Sequence, residues 1–508
     1  MLIRADASQE IGTGHVMRCL ALAQAWRDAG GWAIFAMAGE MPDIERRLKA
    51  YGFAVNRISA KPGSEKDAAL TADLAISLNV CFVVVDGYHF GVEYQDRLKK
   101  EELHLLFIDD YGHAKSYSAD LVLNQNIYAR EELYRERDPG TELLLGSQFV
   151  LLRKEFQNWR GWQRKNPEIA VKILVTLGGS DPDNVTLKIL KALQGLTDHE
   201  VETKVVAGGG NSHIFALETA SKESLSSIQL VRNAANMPEL MAWADMAIIS
   251  GGTTSYETGF MGLPSLITII ADNQVRVAEK LEKKGLAVNL GWHHKLTGTI
   301  VAEMITELAA NRNARDAMSR IGRQLVDGRG TSRIIRAMLA RIIAVREAVE
   351  SDCEQIYEWA NDSDTRAASF SSGLITWDTH CNWFSEKILD PNCLLLICSD
   401  DKDNSLGLVR FDLVGDEAVM SLNLNPGARE RGLAGFIIIR TVDELIKRYN
   451  ISWVSAFIKP QNLRSAKAFE RAGFSMNGPC NIKGKEARHY MMTNEDLIIQ
   501  SPPIGFGR

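Results

Sequence analysis

Four short apolar runs in the first 150 residues, Ile34 to Ala38, Cys81 to Asp86, Leu103 to Asp109 and Leu121 to Asn124, alternate with amphipathic stretches. A run that is apolar at nearly every position suits a strand buried on both faces, as happens when helices cover a parallel sheet. The pattern starts again at Val171 to Leu177 and continues with Val205 to Ala207, Ile228 to Val231, Met246 to Ser250 and Ser265 to Ile270. It changes near residue 343. Leu394 to Cys398, Ser405 to Asp412 and Ala418 to Leu424 read as consecutive antiparallel strands, followed by helix, strand and helix. The helix from Ser332 to Ile343 enters this region with no Gly/Ser/Pro-rich linker, so a rigid junction is expected. The expected fold is therefore α/β, a pair of doubly wound parallel-sheet domains over residues 1–155 and 156–342, then an α+β domain over 343–508.

The formal net charge of −6 argues against a nucleic-acid partner, which would call for a basic surface. Seven cysteines show neither Cys-x-x-Cys nor paired Cys/His spacing, so reduced thiols and no metal are expected. The three side chains Asp109, Asp110 and His113 on one loop read as turn caps before they read as metal ligands. No basic stretch, apolar stretch and cleavage site open the chain, and no apolar run approaches the length of a membrane span, which gives a cytoplasmic expectation without membrane insertion. The oligomeric state is not legible.

Arg4-Ala5-Asp6 leads into Gly12-Thr13-Gly14-His15 and Met17-Arg18-Cys19, a strand, a glycine turn and a helix start. Glycines there let backbone N–H groups approach a phosphate, and the positive helix end favours an anion while disfavouring a protonated His15. Such a histidine can take a proton from water. This segment resembles the UDP-sugar hydrolases of pseudaminic acid biosynthesis, in which the histidine is the proposed catalytic base. Val85-Asp86-Gly87-Tyr88-His89 ends a strand, and the resemblance implies a role for Tyr88 in the same cleft. Asn124-Gln125-Asn126 also fits the family pattern without a derivable role.

Two later glycine turns end strands. Gly178-Gly179-Ser180-Asp181 reads as a capping turn on its own, and with Gly14 it places Gly179 and Ser180 as candidate UDP contacts. Gly251-Gly252-Thr253-Thr254-Ser255-Tyr256-Glu257 opens a helix and looks like the nucleotide half of GT-B sugar-nucleotide enzymes, with Gly262-Leu263-Pro264 and Asp272-Asn273-Gln274 downstream. The resemblance implies diphosphate contacts from Thr254 and Ser255, a ribose contact from Glu257, and Asn273 near the reacting carbon.

In the third region, Arg429-Glu430-Arg431-Gly432-Leu433-Ala434-Gly435 follows a strand ending at Leu424 and has the Arg-x-x-Gly-x-Gly/Ala spacing that presents consecutive N–H groups to a pyrophosphate. It resembles the acetyl-CoA loop of GNAT-type N-acetyltransferases. Asn462-Leu463-Arg464-Ser465 and Ala468 to Phe474 resemble the late GNAT helix, implying CoA contacts from Asn462 and Ser465. Phe469 stands where many members carry a tyrosine that protonates the departing thiolate. Trp359, Asn361 and His380, with Arg366, Trp377, Trp383 and Phe384 nearby, look like the acceptor side of sugar-amine acetyltransferases, and Glu417 and His380 are candidate bases.

Together the resemblances imply a fused enzyme of nonulosonic acid biosynthesis, a pathway that decorates flagellin or surface glycans. The first part would hydrolyse a UDP-linked diacetamido-trideoxy sugar with inversion. The second would use acetyl-CoA as co-substrate to acetylate the 4-amino group of its UDP-linked precursor. A GT-B glycosyltransferase and a non-catalytic sugar-nucleotide binder are the alternatives.

Overall fold

The computed structural model describes residues 1–8, 11–194, 201–223 and 227–493. They form two compact units, residues 1–24 with 33–334, and residues 25–32 with those from 335 on.

The first unit holds two parallel sheets. The strands of the first are β1 (Leu2–Ala5), β2 (Ile34–Met37), β3 (Ala54–Arg57), β4 (Val83–Asp86), β5 (Leu105–Ile108), β6 (Leu121–Asn124) and β7 (Glu142–Leu145), in the order β3-β2-β1-β4-β5-β6-β7. The chain runs outward from β1 to β3 and then returns to lay β4 beside β1. That reversal opens a crevice at the carboxyl ends of β1 and β4. The second sheet consists of β8 (Lys172–Thr176), β9 (Glu202–Ala207), β10 (Ser227–Arg232), β11 (Met246–Ser250), β12 (Ser265–Ile269) and β13 (Ala287–Trp292), ordered β10-β9-β8-β11-β12-β13. Its reversal lies between β8 and β11, the two strands followed by Gly-Gly turns.

Strands β1, β2, β4, β5, β6, β11 and β12 are buried at every position, as near-continuous apolar runs require. Sequence reading passes over β3, β7 and β13 for one physical reason. Each is a sheet edge with mostly half-buried or exposed residues, so none carries an uninterrupted apolar run. Inside fully buried β1, Arg4 is tolerated because Asp67 accepts hydrogen bonds from its Nε at 2.9 Å and Nη2 at 2.8 Å, with Asp6 at 2.7 Å from Nη1. The Arg-Ala-Asp stretch is thus a buried ion-pair support beneath the crevice.

The second unit contains one mixed sheet of β14 (Ala344–Glu347), β15 (Cys393–Ser399), β16 (Ser405–Val414), β17 (Glu417–Leu424), β18 (Trp453–Ile458), β19 (Ser475–Ile482) and β20 (Lys485–Thr493), ordered β14-β15-β16-β17-β18-β20-β19. Neighbours pair antiparallel except β17 and β18, which run parallel and meet only at Glu417 to Val419 and Trp453 to Ser455. Beyond those three pairs the two strands part. The helix Leu433–Arg448 connects them.

Candidate functional site

In the first unit, helix Gly14–Asp28 begins immediately after the glycine turn that follows β1. Gly12 has φ +74°, a left-handed conformation that glycine adopts without strain. Gly14 is exposed, and a Cβ there would meet nothing within 4 Å, so that position opens on a space a ligand can approach. Gly179 lies against this turn, because a Cβ on it would come within 2.4 Å of Thr13 Oγ1. The turns after β1 and β8 therefore abut.

His15 is buried, with Nδ1 2.7 Å from Asp86 Oδ1 at the end of β4. Arg18, one helical turn on, donates from Nε to Asp86 Oδ2 and from Nη2 to Asp86 Oδ1, both at 2.6 Å. Its Nη1 reaches Asp110 Oδ1 at 2.8 Å. Asp110 Oδ2 accepts from Tyr88 Oη at 2.6 Å, and Oδ1 also accepts from Asn126 Nδ2 at 2.8 Å. Asn273, exposed on the far side of the crevice, donates from Nδ2 to Tyr88 Oη at 3.1 Å. The rings of His15 and Tyr88 meet edge to face at 4.8 Å. His15, Tyr88 and Asn273, which sequence reading grouped, therefore come together.

Burial alone would raise the carboxyl pKa of Asp86 and Asp110, but Arg18 outweighs it at both and holds them below the ordinary carboxylate value. Burial and then Asp110 push the Tyr88 phenol upward, so it keeps its proton near neutrality. Asp109 is spent on its own turn, accepting from the N–H groups of Tyr111 at 2.8 Å and Gly112 at 2.9 Å.

Around the second glycine turn the candidates separate. Thr254 and Glu257 are half-buried at the start of helix Thr254–Phe260. Glu257 Oε1 accepts from Arg153 Nη2 at 3.0 Å, and Arg153 Nη1 lies 2.8 Å from Glu155. Ser180 is half-buried at the first turn. Ser255 departs from its expected role: it is fully buried, its hydroxyl donates to the Gly252 carbonyl at 2.6 Å and its N–H to the same oxygen at 3.1 Å. Neither donor is left for a diphosphate.

In the second unit, Gly432 caps helix Leu433–Arg448 with φ +75°, and Arg431, exposed, precedes it. Leu424 and Ala434 are half-buried beside this turn. Gly435 answers to packing, since a Cβ there would lie 2.6 Å from the Ala29 carbonyl oxygen. Arg429 faces inward to the protein, 2.5 Å from Asp362 Oδ1 and donating to Thr365 Oγ1 at 2.9 Å. Asn462 caps helix Leu463–Arg471 by accepting from the Ser465 N–H at 3.2 Å, which commits its oxygen and leaves its amide nitrogen for other partners.

Two acceptor-side expectations need correction. Trp359 is buried in a core with Ile356, Phe384, Leu395, Ile397 and Leu408. His380 is buried among Tyr357, Trp377, Trp383 and Phe384, with Nε2 2.9 Å from the Cys353 carbonyl oxygen, and burial lowers its pKa. Both are packed into a core. Asn361 brackets Ile375, donating to its carbonyl at 3.0 Å and accepting from its N–H at 2.8 Å. Glu417 is half-buried where β17 begins. Phe469 is buried against Phe474 and offers no proton.

Residues 173–328 match the glycosyltransferase family 28 C-terminal domain, and residues 343–475 match the acetyltransferase (GNAT) domain. The UDP-2,4-diacetamido-2,4,6-trideoxy-beta-L-altropyranose hydrolase of Campylobacter jejuni is 25% identical over 57% of this chain and 98% of its own. The chain joins a GT-B-like pair, similar to these hydrolases, to a GNAT domain. The spore coat polysaccharide biosynthesis protein SpsG of Bacillus subtilis is 26% identical over 65% of this chain and 95% of its own. An uncharacterized protein of Methanocaldococcus jannaschii is 23% identical over 92% of this chain and 95% of its own, so the likeness extends across the GNAT domain as well. Among solved structures, a spermidine N-acetyltransferase of Vibrio cholerae in complex with CoA and spermine matches 31% of this chain and 98% of its own at 16% identity, with a TM-score of 0.29. No helix among the described residues is long and apolar enough to cross a membrane.

Sequence reading of the hydrolase-like pair missed the roles of Asp86, Arg18, Asp110 and Arg153. The first two carried a signal, since Arg18 stands three residues from His15 on the same helix face and Asp86 ends a strand laid beside β1. Arg153 lies 104 residues from its partner Glu257 and carried none.

Proposed function

We propose that the GT-B-like pair hydrolyses UDP-2,4-diacetamido-2,4,6-trideoxy-β-L-altropyranose to the free sugar and UDP with inversion at the anomeric carbon. The GNAT domain uses acetyl-CoA to acetylate the 4-amino group of the UDP-linked precursor, and the proposed domain limits are 1–155, 156–342 and 343–508. The observation that carries the hydrolase reading is His15, set at the crevice with Nδ1 turned to Asp86 and with no hydrogen-bond partner at Nε2 among the described residues. As water attacks the anomeric carbon, Nε2 takes its proton and the bond from that carbon to the UDP oxygen breaks. The leaving diphosphate meets N–H groups of Gly14 and Gly179 and the hydroxyls of Ser180 and Thr254. Glu257, oriented by Arg153 through one oxygen, keeps the other for the ribose hydroxyls. Glu257→Ala is expected to weaken UDP binding roughly 10- to 100-fold, the scale of losing hydrogen bonds to a charged group, read by calorimetric titration with UDP.

In the GNAT domain the turn at Gly432 fits the pyrophosphate of acetyl-CoA, and the parting of β17 from β18 fits its extended arm. The match to a glycosyltransferase family favours one second reading, transfer to an acceptor hydroxyl. Supplying the UDP-linked sugar with no acceptor separates the two. The hydrolase releases UDP steadily, and a glycosyltransferase waits for the acceptor.

A further inference from the structure

Asp86, Arg18 and Asp110 make one buried array that touches both His15 and Tyr88. We propose that Asp86 is the positioning residue of the hydrolytic reaction, fixing the His15 proton on Nδ1 and steadying the imidazolium that forms when Nε2 takes a proton from water. This rests on the hydrolase reading above and deepens it. Donors and acceptors around the ring fix the position of its proton. Asp86 is ionised, so it only accepts, and the His15 nitrogen 2.7 Å from it must be the one that carries hydrogen. Arg18 Nη2 also lies 3.2 Å from that nitrogen, but this is the longer contact, and Arg18 already donates to both oxygens of Asp86 at 2.6 Å. The lone pair is therefore left on Nε2.

The groups facing His15 set the sign of its electrostatics. Arg18 comes from its own helix, Asp86 from the end of β4, Asp110 from the segment after β5, and Tyr88 from the turn after β4. Cys19 adds a neutral thiol, 3.4 Å from Asp86 Oδ2. Two carboxylates and one guanidinium leave a net single negative charge beside the ring, complementary to the positive charge that forms on it during the step. Arg18 does a second thing. By holding Asp86 bidentately it prevents that carboxylate from rotating away from His15. Asp110 performs the matching task for Tyr88, taking the phenolic hydrogen so that the Tyr88 oxygen is the acceptor for Asn273.

The test combines kinetics with a spectroscopic measurement that does not depend on turnover. Nitrogen-15 NMR of the full chain, labelled in histidine and saturated with UDP, should show His15 protonated at Nδ1. Asp86→Asn should lower the rate of UDP release from the UDP-linked diacetamido sugar roughly 100- to 10,000-fold, as loss of an oriented base does. Its affinity for UDP should stay within threefold, which also reports that the variant is folded. Protonation of His15 at Nε2, or an Asp86→Asn rate equal to the parent's while His15→Asn is inactive, overturns the proposal alone. A parent that binds UDP and releases none from the sugar overturns the hydrolase reading, and the proposal with it.

Discussion

His15→Asn is expected to lower the rate of UDP release roughly 100- to 10,000-fold, the usual range for removing a general base, while UDP affinity changes by no more than about threefold. The split follows from geometry. The turns assigned to the diphosphate lie in Gly14, Gly179 and Thr254, and none of them depends on the imidazole. Asparagine is close in size to part of the ring and can still donate to Asp86, so Arg18 and Asp86 keep their places. Initial rates of UDP release and a calorimetric UDP titration on the same preparation measure the two quantities. A variant that loses binding and rate together would assign His15 to the nucleotide.

Arg18→Met carries the largest expected cost in stability. Asp86 is fully buried and Asp110 nearly so, and both depend on this guanidinium. Removing one partner of a buried ion-pair network leaves uncompensated charge, at about 3 to 5 kcal/mol, or a fall in melting temperature of roughly 10 °C for a unit of this size. The pH dependence should also change sign. In the parent the two folded carboxylates titrate below their unfolded value near 3.9, so their stabilisation is fully present above about pH 4 and is lost as the pH falls through the folded values. In the variant no cation offsets burial, so the folded values rise above the unfolded one. Stability then increases on mild acidification from neutrality and is lost as the pH rises through the raised values. Adding Asp110→Asn should restore part of the loss, because one buried charge is gone. Calorimetry between about pH 2 and 8 reads all three effects.

How much of this was legible depended on whether a residue's chemistry is local. The strands buried on both faces announced themselves by their apolar runs, and the glycine turns after β1, β8 and β11 could be placed at strand ends from spacing alone. Edge strands β3, β7 and β13 could not, since a strand with one open side has no need of an unbroken apolar run. The same limit governs the site. His15 and Gly14 lie in one short motif, but Asp86, the partner of His15, is 71 residues away, and Arg153 and Glu257 are 104 residues apart. Aromatic residues misled for a different reason. Trp359 and His380 share composition with sugar-binding surfaces, and whether a ring faces a ligand or a core is decided by packing that their spacing does not encode. Ser255 fails likewise, because a hydroxyl in the first turn of a helix bonds the preceding carbonyl as readily as a phosphate.

In the proposed reaction a held imidazole directs water at the anomeric carbon of a UDP-linked diacetamido sugar. Proton NMR of the first turnovers, with that sugar alone in buffer, tests it most directly. UDP and free sugar should appear in equal amounts, the sugar first in the anomeric configuration opposite to the substrate's and only later equilibrated. A first product that retains the substrate's configuration, or a sugar that stays joined to UDP until an acceptor alcohol is added, would contradict it.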